Sequence, residues 1–505
     1  MVLSNRKTTV KIIKVLSSKK SLLTSIYIIK NFFNLKKILN TYIYINLYYL
    51  MQHYFSKKKE SNRLDITDLP LITIDGYDSK DFDDAIYAKQ VNKNYALFIS
   101  ISDVSYYVSE NSYLDKKAYE ICNSIYMHQK VLPMFPDFLS SNLCSLKPNK
   151  KRLSILCEIL LSERGEILKY EFHKTIMKSR MDFNYNEISK ILMLQKDHSK
   201  GLYKNLYNLV NLLYKISNIL KTRKKKNNTI EFFKNETEMR FSILGKLEKI
   251  GPIKKKSSYK IVEEFMILAN LLVSNFLSKN NIPFIKRIHE PPSKKKSILL
   301  NKFVSLINKK VKNKIYRYFN IKFYTKIVNF IKHKPIFFIF QNILLNAFEK
   351  AVYNVKKDGH FGLDINSYTH FTSPIRRYSD LIIHRIVKCY LASSSHKYST
   401  KFLSYIGKDC SLYEIKTNKL NKKIKFNLIS IFFKKNISKY YEARIVDIQK
   451  FGFIINISDI GIYGLISNKY MFKCNKKRIF KINDKIDIKL LYIQEEKEII
   501  NFFII

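Results

Sequence analysis

The feature that most constrains this chain is a cluster of acidic residues placed between two apolar segments. Five aspartates fall within ten residues, where the composition of the whole chain predicts fewer than one acid: Asp75, Asp78, Asp81, Asp83 and Asp84. The apolar run 71–74 predicts a buried strand before the cluster, and residues 85–87 predict a second strand after it. Gly76 permits a sharp turn between them. The pattern therefore predicts several carboxylates at one end of a sheet.

Carboxylates packed this closely repel one another and raise each other's pKa unless a cation neutralises them. Mg²⁺ is a hard, octahedral cation that takes oxygen ligands from a few carboxylates and from substrate phosphates. The alternative is a solvated acidic turn of the kind that loops often carry. The apolar flanks and the basic remainder of the chain favour the metal site.

A second dense motif lies at residues 368–381, where Ser373 and Pro374 precede two adjacent arginines, Arg376 and Arg377. Such a pair could clamp a phosphate through bidentate hydrogen bonds. The alternative is a surface loop that enters a helix at Pro374, since proline suits the first helical turn. Metal-binding acids and a phosphate-binding arginine pair together favour metal-assisted cleavage of a phosphodiester.

The charge balance points to a polyanionic partner. Lys and Arg number 91 against 41 Asp and Glu, so the formal net charge is +50. AT-rich coding also produces an excess of lysine, so charge alone leaves the partner open. Six scattered cysteines without Cys-x-x-Cys spacing are typical of a reduced intracellular protein. We expect a cytoplasmic protein with no membrane partner, since no secretory signal is visible and polar residues interrupt the uncharged stretch 38–56.

The chain divides into four parts by composition. Residues 1–61 form a basic segment in which Glu60 is the single acid. Residues 62–390 mix strand and helix signals, and 391–438 predict a helical connector. Residues 439–505 contain short strands separated by glycines, which predicts a small β-barrel. The fold class is therefore α+β, with a barrel at the C-terminal end.

The order of the motifs resembles the RNB family of exoribonucleases, which includes ribonucleases R and II. The resemblance covers residues 62–390, and the run 370–378 is closest to the ribonuclease R branch. The matching segments are 68–76, 81–85, 101–108, 143–146, 261–270, 287–293, 359–363 and 370–378.

Membership would imply a catalytic domain with a mixed sheet surrounded by helices, followed by an OB-fold that binds RNA. The implied reaction is Mg²⁺-dependent, processive 3′→5′ hydrolysis of RNA to 5′-mononucleotides, with two ions when substrate is bound. The implied partner is single-stranded RNA with a free 3′ end. We further expect a monomer, associated with the ribosome or the RNA-decay machinery. The alternative is an RNA-binding protein or chaperone whose nuclease has decayed, which retention of the four aspartates and Arg376 disfavours.

The resemblance also assigns roles to individual residues. Asp75, Asp81, Asp83 and Asp84 match the aspartates that hold Mg²⁺, and Asp83 is the one expected to be essential for catalysis. Arg376 matches the arginine that stabilises charge on the phosphate. The expected RNA contacts are Tyr126 at the 3′-terminal nucleotide, Glu263, Arg377, the second stacking ring Phe232 (or its neighbour Phe233), and Phe451, Phe453 and Tyr470 of the barrel. At least one of those three barrel rings is expected to fill the barrel core instead.

The chain departs from the family pattern in three places. Two cold-shock OB-folds usually precede the catalytic domain, and we expect none within residues 1–61. Residues 256–259, Lys-Ser-Ser-Tyr, stand where the family has an Asn or Asp and a His. The connector at 415–420 lacks the family's acidic and arginine pattern. These departures concern RNA affinity and domain docking, and the catalytic matches are complete.

Overall fold

The structure is a computed structural model that describes residues 2–5, 8–11, 62–127, 131–193, 202–226, 237–242, 247–252, 257–307, 321–331, 337–394, 398–457, 459–471 and 480–505. Its strands are β1 (Val2–Asn5), β2 (Thr8–Lys11), β3 (Leu64–Asp65), β4 (Ile72–Asp75), β5 (Asp84–Val91), β6 (Asn94–Ser102), β7 (Ile125–Tyr126), β8 (Val131–Leu132), β9 (Lys151–Leu161), β10 (Ile167–Lys178), β11 (Met181–Asn184), β12 (Thr237–Phe241), β13 (Leu247–Pro252), β14 (Lys286–Ile288), β15 (Val352–Asn354), β16 (Tyr440–Gln449), β17 (Gly452–Ile457), β18 (Ile462–Ser467), β19 (Lys485–Gln494) and β20 (Ile499–Ile504). Its helices are α1 (Val104–Tyr107), α2 (Tyr113–Ile121), α3 (Tyr185–Met193), α4 (Leu202–Lys226), α5 (Ser257–Lys279), α6 (Lys294–Ile307), α7 (Ile321–Ile331), α8 (Phe337–Ala347), α9 (Tyr378–Leu391), α10 (Thr400–Lys435) and α11 (Asn468–Met471).

A mixed sheet of seven strands organises the larger part of the molecule, in the order β11-β4-β5-β6-β9-β10-β3. Its neighbours are antiparallel except for the pairs β11–β4 and β10–β3, which are parallel. Strand β6 is central and is buried on both faces. Leu97, Ile99 and Ile101 pack into the main core, whereas Ala96 and Phe98 pack into a smaller core on the opposite face, as the alternation of side chains along a strand requires.

Helix α5 is long and apolar. By length and composition alone it could cross a membrane, but most of its most apolar window is buried inside the protein. Ile261, Phe265 and Leu272 are buried in the main core. Helix α5 is therefore a central packing element of this core. Helices α6, α7 and α8 enclose a second core of their own, which includes Leu300, Tyr324 and Phe340.

The C-terminal strands close into a five-stranded barrel in the order β16-β17-β18-β20-β19. The 36-residue helix α10 leads into it, beginning after Ser399, whose hydroxyl accepts a hydrogen bond from the Phe402 amide. Phe433 near the end of this helix packs edge-on against Phe502 of β20, with ring centroids 5.4 Å apart. The α+β fold with a small C-terminal barrel is confirmed.

The sheet places the acidic cluster at one of its ends. Strand β4 ends at Asp75, and the antiparallel strand β5 begins at Asp84. The connecting loop, residues 76–83, therefore lies at the edge where β4 ends and β5 starts. Strand β6 ends there too, and its last residue, Ser102, donates its amide to the Asp83 carbonyl at 2.8 Å.

Candidate active site

The aspartate loop is shaped by its own backbone and hydroxyl groups. The carboxylate oxygen Oδ1 of Asp75 accepts the Gly76 amide at 2.6 Å and the Ser79 hydroxyl at 2.9 Å. A β-carbon on Gly76 would lie 3.1 Å from the Ser79 hydroxyl oxygen, so a larger residue would press on this turn. Glycine at position 76 thus allows the strand to turn directly after Asp75.

The second half of the loop is fixed by the segment 144–146. The Ser145 hydroxyl donates to the Lys80 carbonyl at 2.8 Å and accepts the Phe82 amide at 3.0 Å. The Leu146 amide donates to the Phe82 carbonyl at 3.0 Å. These bonds hold the loop on both sides of Asp81, which explains why a short Cys-Ser-Leu motif far along the chain accompanies the acidic cluster.

Asp83 joins the aspartate loop to the arginine motif, 292 residues away. Its side chain is buried, with 4% exposure. One carboxylate oxygen accepts the Ile375 amide at 2.9 Å, and the other lies 3.5 Å from Nε of Arg376. The side chain of Arg376 is 49% exposed, and its Nη2 donates to the Ser373 hydroxyl at 3.1 Å. The structure thus brings Asp83 and Arg376 together, with the arginine on the open side.

Tyr126 completes the cleft from strand β7. Its hydroxyl donates to a carboxylate oxygen of Asp81 at 2.6 Å, and Cζ of Arg376 lies 6.0 Å from its ring centroid. The ring is partly exposed. An aromatic face beside an acid and an arginine suits a nucleotide, because its base can stack and its phosphate can meet the cation.

The acids of the cluster are incompletely neutralised by the protein. Burial raises the pKa of Asp83 well above its ordinary value, although Arg376 opposes the shift. Burial and the neighbouring charge of Asp75 raise the pKa of Asp84 to about 7. Burial likewise raises the pKa of Asp75. Arg376 lowers the pKa of all three acids, but burial outweighs its effect.

The donor chemistry of the cluster fits Mg²⁺, since its side chains offer carboxylate oxygens to a hard cation. Within the described ranges, no three Asp, Glu, His or Cys side chains converge as a closed metal-binding group. Several carboxylate oxygens point to protein donors instead, as at Asp75, Asp81 and Asp83. The four aspartates lie at the same end of the sheet, and their role as Mg²⁺ ligands stays a prediction.

Comparison with known proteins decides the family. A family model described as the RNB domain matches residues 63–393, which is more than half of the chain. The chain belongs to the RNB family. The ribonuclease R of Vibrio parahaemolyticus is 31% identical over 467 residues, an alignment that covers 87% of this chain and 56% of that protein. The ribonuclease R of Escherichia coli is 29% identical over 477 residues, covering 89% of this chain and 58% of the relative.

A solved structure agrees with this assignment. Mycoplasma genitalium RNase R in complex with ribose-methylated single-stranded RNA superposes with a TM-score of 0.79 at 28% identity, covering 90% of this chain and 74% of that one. The chain spans less than two thirds of the length of the two curated relatives.

Within the RNB domain, the two adjacent arginines have different partners. Nε and Nη2 of Arg377 donate to Asp380 at 3.1 and 2.7 Å, and Asp380 is fully buried. Arg377 thereby fastens the start of helix α9, while Arg376 faces the cleft. Asp380 takes the Nε and Nη2 donors of Arg377, whose side chain keeps 25% exposure, and the RNA contact of Arg377 stays a prediction.

Two other predicted RNA contacts stay predictions. Glu263 is exposed on helix α5, while the next residue, Glu264, pairs with Lys224 at 2.6 Å. Phe232 and its neighbour Phe233 lie outside the described residues. Neither prediction is tested by the geometry.

The three barrel aromatics separate into core and surface. Phe453 is only 5% exposed and meets Phe480 edge-on at 5.5 Å, so its assignment as a stacking residue is wrong and it fills the barrel core. Phe451 is 57% exposed, and Tyr470 lies partly exposed beside Tyr492. The expectation that at least one ring is core is confirmed.

One residue near the cluster escaped the sequence analysis. Tyr185 follows Asn184, and Asn184 pairs with Asp75 in the parallel register of β11 and β4. The negative charges of Asp75 and Asp84, after burial, contribute to the raised pKa of Tyr185. The only sequence signal was a tyrosine after a short strand, since nothing local shows that this strand lies beside β4.

Proposed function

We propose that the protein is a Mg²⁺-dependent, processive 3′→5′ exoribonuclease that hydrolyses RNA to 5′-mononucleotides. The observation that carries the proposal is the buried carboxylate of Asp83, which connects the aspartate loop to the half-exposed Arg376. This places a cation for phosphate directly beside a cluster of under-neutralised acids. The RNB family membership and the ribonuclease R relatives support the same reaction.

Arg376, Asp83 and Tyr126 would have different roles in the reaction because they occupy different positions in the site. Arg376 would meet the scissile phosphate, where a preorganised cation stabilises the charge that develops in the transition state. Asp83 would hold that arginine and its loop in place, because both of its oxygens already face the Ile375 amide and the guanidinium. The ring of Tyr126 would receive the 3′-terminal base.

Asp75, Asp81 and Asp84, together with Asp83, are the residues that would hold Mg²⁺. When bound, the metal supplies a water of lowered pKa and positive charge next to the phosphate. A bound cation would offset the burial and mutual repulsion that raise the pKa values of Asp75 and Asp84.

The proposed substrate is single-stranded RNA with a free 3′ end. A solved relative is in complex with ribose-methylated single-stranded RNA. The exposed ring of Phe451 offers a base-stacking surface on the barrel, since stacking tolerates any base sequence. The proposal includes a monomer in the cytoplasm that acts in RNA turnover, with no membrane partner.

The test uses the full chain with one RNA labelled at its 5′ end in one sample and at its 3′ end in another, with Mg²⁺ or with EDTA. We expect the 3′ label to appear at once as a mononucleotide, and the 5′ label to remain in long RNA until a short end-product forms. EDTA should abolish both. Intermediates of every length during the reaction would contradict processivity.

The matched control is Asp78→Asn, which makes the same chemical change as Asp83→Asn in the same loop but at an exposed position. Its rate should stay within a few-fold of the wild type, while Asp83→Asn is inactive. Tight RNA binding without any cleavage by the wild-type protein would instead favour an RNA chaperone with a decayed nuclease.

A further inference from the structure

The first turn of helix α5 departs from the family pattern and lies against the catalytic cleft. Ser258 is fully buried, and its hydroxyl donates to the Tyr185 carbonyl at 2.7 Å. The same hydroxyl is 2.9 Å from the Ser189 hydroxyl on helix α3. These two contacts attach the start of α5 to the start of α3.

Tyr259 then stacks on Tyr185. The two ring centroids are 3.9 Å apart, and the rings are nearly parallel, at 16°. Tyr259 retains 38% exposure, so the pair lies at the surface of the cleft wall. Aromatic pairs of this kind contribute about 0.5–1.5 kcal/mol beyond the area they bury. A stack this close fixes the plane of the inner ring.

Tyr185 in turn lies beside the acids. Asn184 is the residue paired with Asp75 across β11 and β4, so the next residue leaves the strand at the edge where the aspartates cluster. Glu263 is four residues after Tyr259 and therefore lies one turn further along the same face of α5. Tyr259, which stacks on Tyr185, and the exposed Glu263 are therefore neighbours on α5.

We propose that Tyr259 is a positioning residue, which holds the ring of Tyr185 against the aspartate cluster by stacking and thereby sets the cleft wall that receives the 3′ end of RNA. The proposal rests on the proposed function for the identity of the ligand. It assigns a role to the one departure near the active site, residues 256–259, that the family resemblance left without one.

The test is a double-mutant cycle with Tyr185→Ala, Tyr259→Ala and the double variant. Because Tyr259 acts through Tyr185, Tyr259→Ala should lower kcat/KM about two- to tenfold, the range that loss of one aromatic pair predicts. The double variant should be no worse than Tyr185→Ala alone. Tyr259→Phe keeps the ring and should restore the wild-type value. Losses that multiply in the double variant, or a Tyr259→Ala protein equal to the wild type, would overturn the proposal.

The matched control is Phe402→Ala. Phe402 lies on a different helix, α10, and is also partly exposed, at 44%. Its ring stacks on that of Tyr398, with an interplanar angle of 10° and ring centroids 5.9 Å apart. Phe402→Ala should leave kcat/KM unchanged. Thermal unfolding is measured for every variant to exclude loss of folded protein.

A second readout separates this proposal from the proposed function. The affinity of each variant for a short RNA is measured in EDTA in the Asp83→Asn background, where no hydrolysis is needed. Tyr259→Ala should weaken binding about two- to tenfold there as well. If the wild type proves inactive but the cycle still shows coupling in affinity, the reaction is wrong and the positioning role stands. Additive losses in affinity would overturn the positioning role whatever the activity.

Discussion

Asp83 and Asp103 are two buried acids at the same end of the central sheet, and the protein shifts their pKa values in opposite directions. Asp103 is fully buried and contacts two cations, Nη2 of Arg63 at 2.6 Å and Nζ of Lys388 at 2.9 Å. The Ser105 hydroxyl donates to it as well, at 2.6 Å. Although burial acts to raise the pKa of Asp103, Lys388 and Arg63 hold it well below the ordinary range.

Asp83 has one cation at a longer distance, and that cation is shared. Arg376 lies 3.5 Å away and also faces the other acids of the cluster. Burial consequently raises the pKa of Asp83. The contrast teaches that burial alone does not set the pKa of an acid, because two close cations outweigh it at Asp103 whereas the shared Arg376 does not outweigh it at Asp83.

The largest expected difference between substitutions of the two acids is in the rate of RNA hydrolysis. Asp83→Asn preserves shape but removes the charge that holds Arg376, so hydrolysis should fall by at least about a hundredfold. RNA affinity should stay near the wild-type value, because backbone binding is spread over many cations. Single-turnover rates and binding titrations measure the two quantities. A rate within tenfold of the wild type would remove Asp83 from the catalytic set.

The corresponding change at Asp103 should act on stability. Asp103→Asn leaves Arg63 and Lys388 without their carboxylate in a buried setting, which costs about 3–5 kcal/mol for a broken buried pair. Urea unfolding measures this cost. The rate per folded molecule should remain within a few-fold of the wild type, and an equally large loss of rate would mean that the two acids belong to one functional unit.

The ion pairs of Asp103 also predict a pH dependence. Because its pKa is lower in the folded state than the ordinary value of about 3.9, its stabilisation is fully present above about pH 4. It is lost as the pH falls further, through the lowered folded-state pKa. The difference in unfolding free energy between wild type and Asp103→Asn should therefore be constant from pH 8 to pH 5 and shrink below pH 4. A difference that shrinks already between pH 8 and pH 5 would point to another titrating group.

The smallest expected effect concerns the position of the RNA end. The ring of Tyr126 is fixed through Asp81 and should set where the 3′ terminus stops, so Tyr126→Ala should change the length of the end-product. Loss of one stacked base costs about 1–3 kcal/mol in binding. Tyr77→Ala, an exposed tyrosine in the aspartate loop, is the control. If both variants leave the same end-product, the Tyr126 ring is only a packing element.

The sequence was sufficient where the information is local. The four aspartates lie within ten residues of one another between two apolar strands, so their place at one end of the sheet follows from a single turn. Alternation along β17 could also have identified Phe453 as core. It shares a strand face with Ile455 and Ile457, both buried, while polar Asn456 marks the opposite face.

Only the tertiary structure decided which distant groups meet the cluster. Asp83 accepts a hydrogen bond from Ile375, 292 residues away, and lies beside Arg376, while the adjacent Arg377 binds Asp380 instead. Tyr185 reaches the acids because β11 pairs in parallel with β4, a choice that no local pattern encodes. The same physical reason explains the contacts of Asp83, Arg377 and Tyr185. A turn or a strand is selected by short-range preferences of the backbone, but the partner of a charged or aromatic side chain is selected by the packing of the whole core around it.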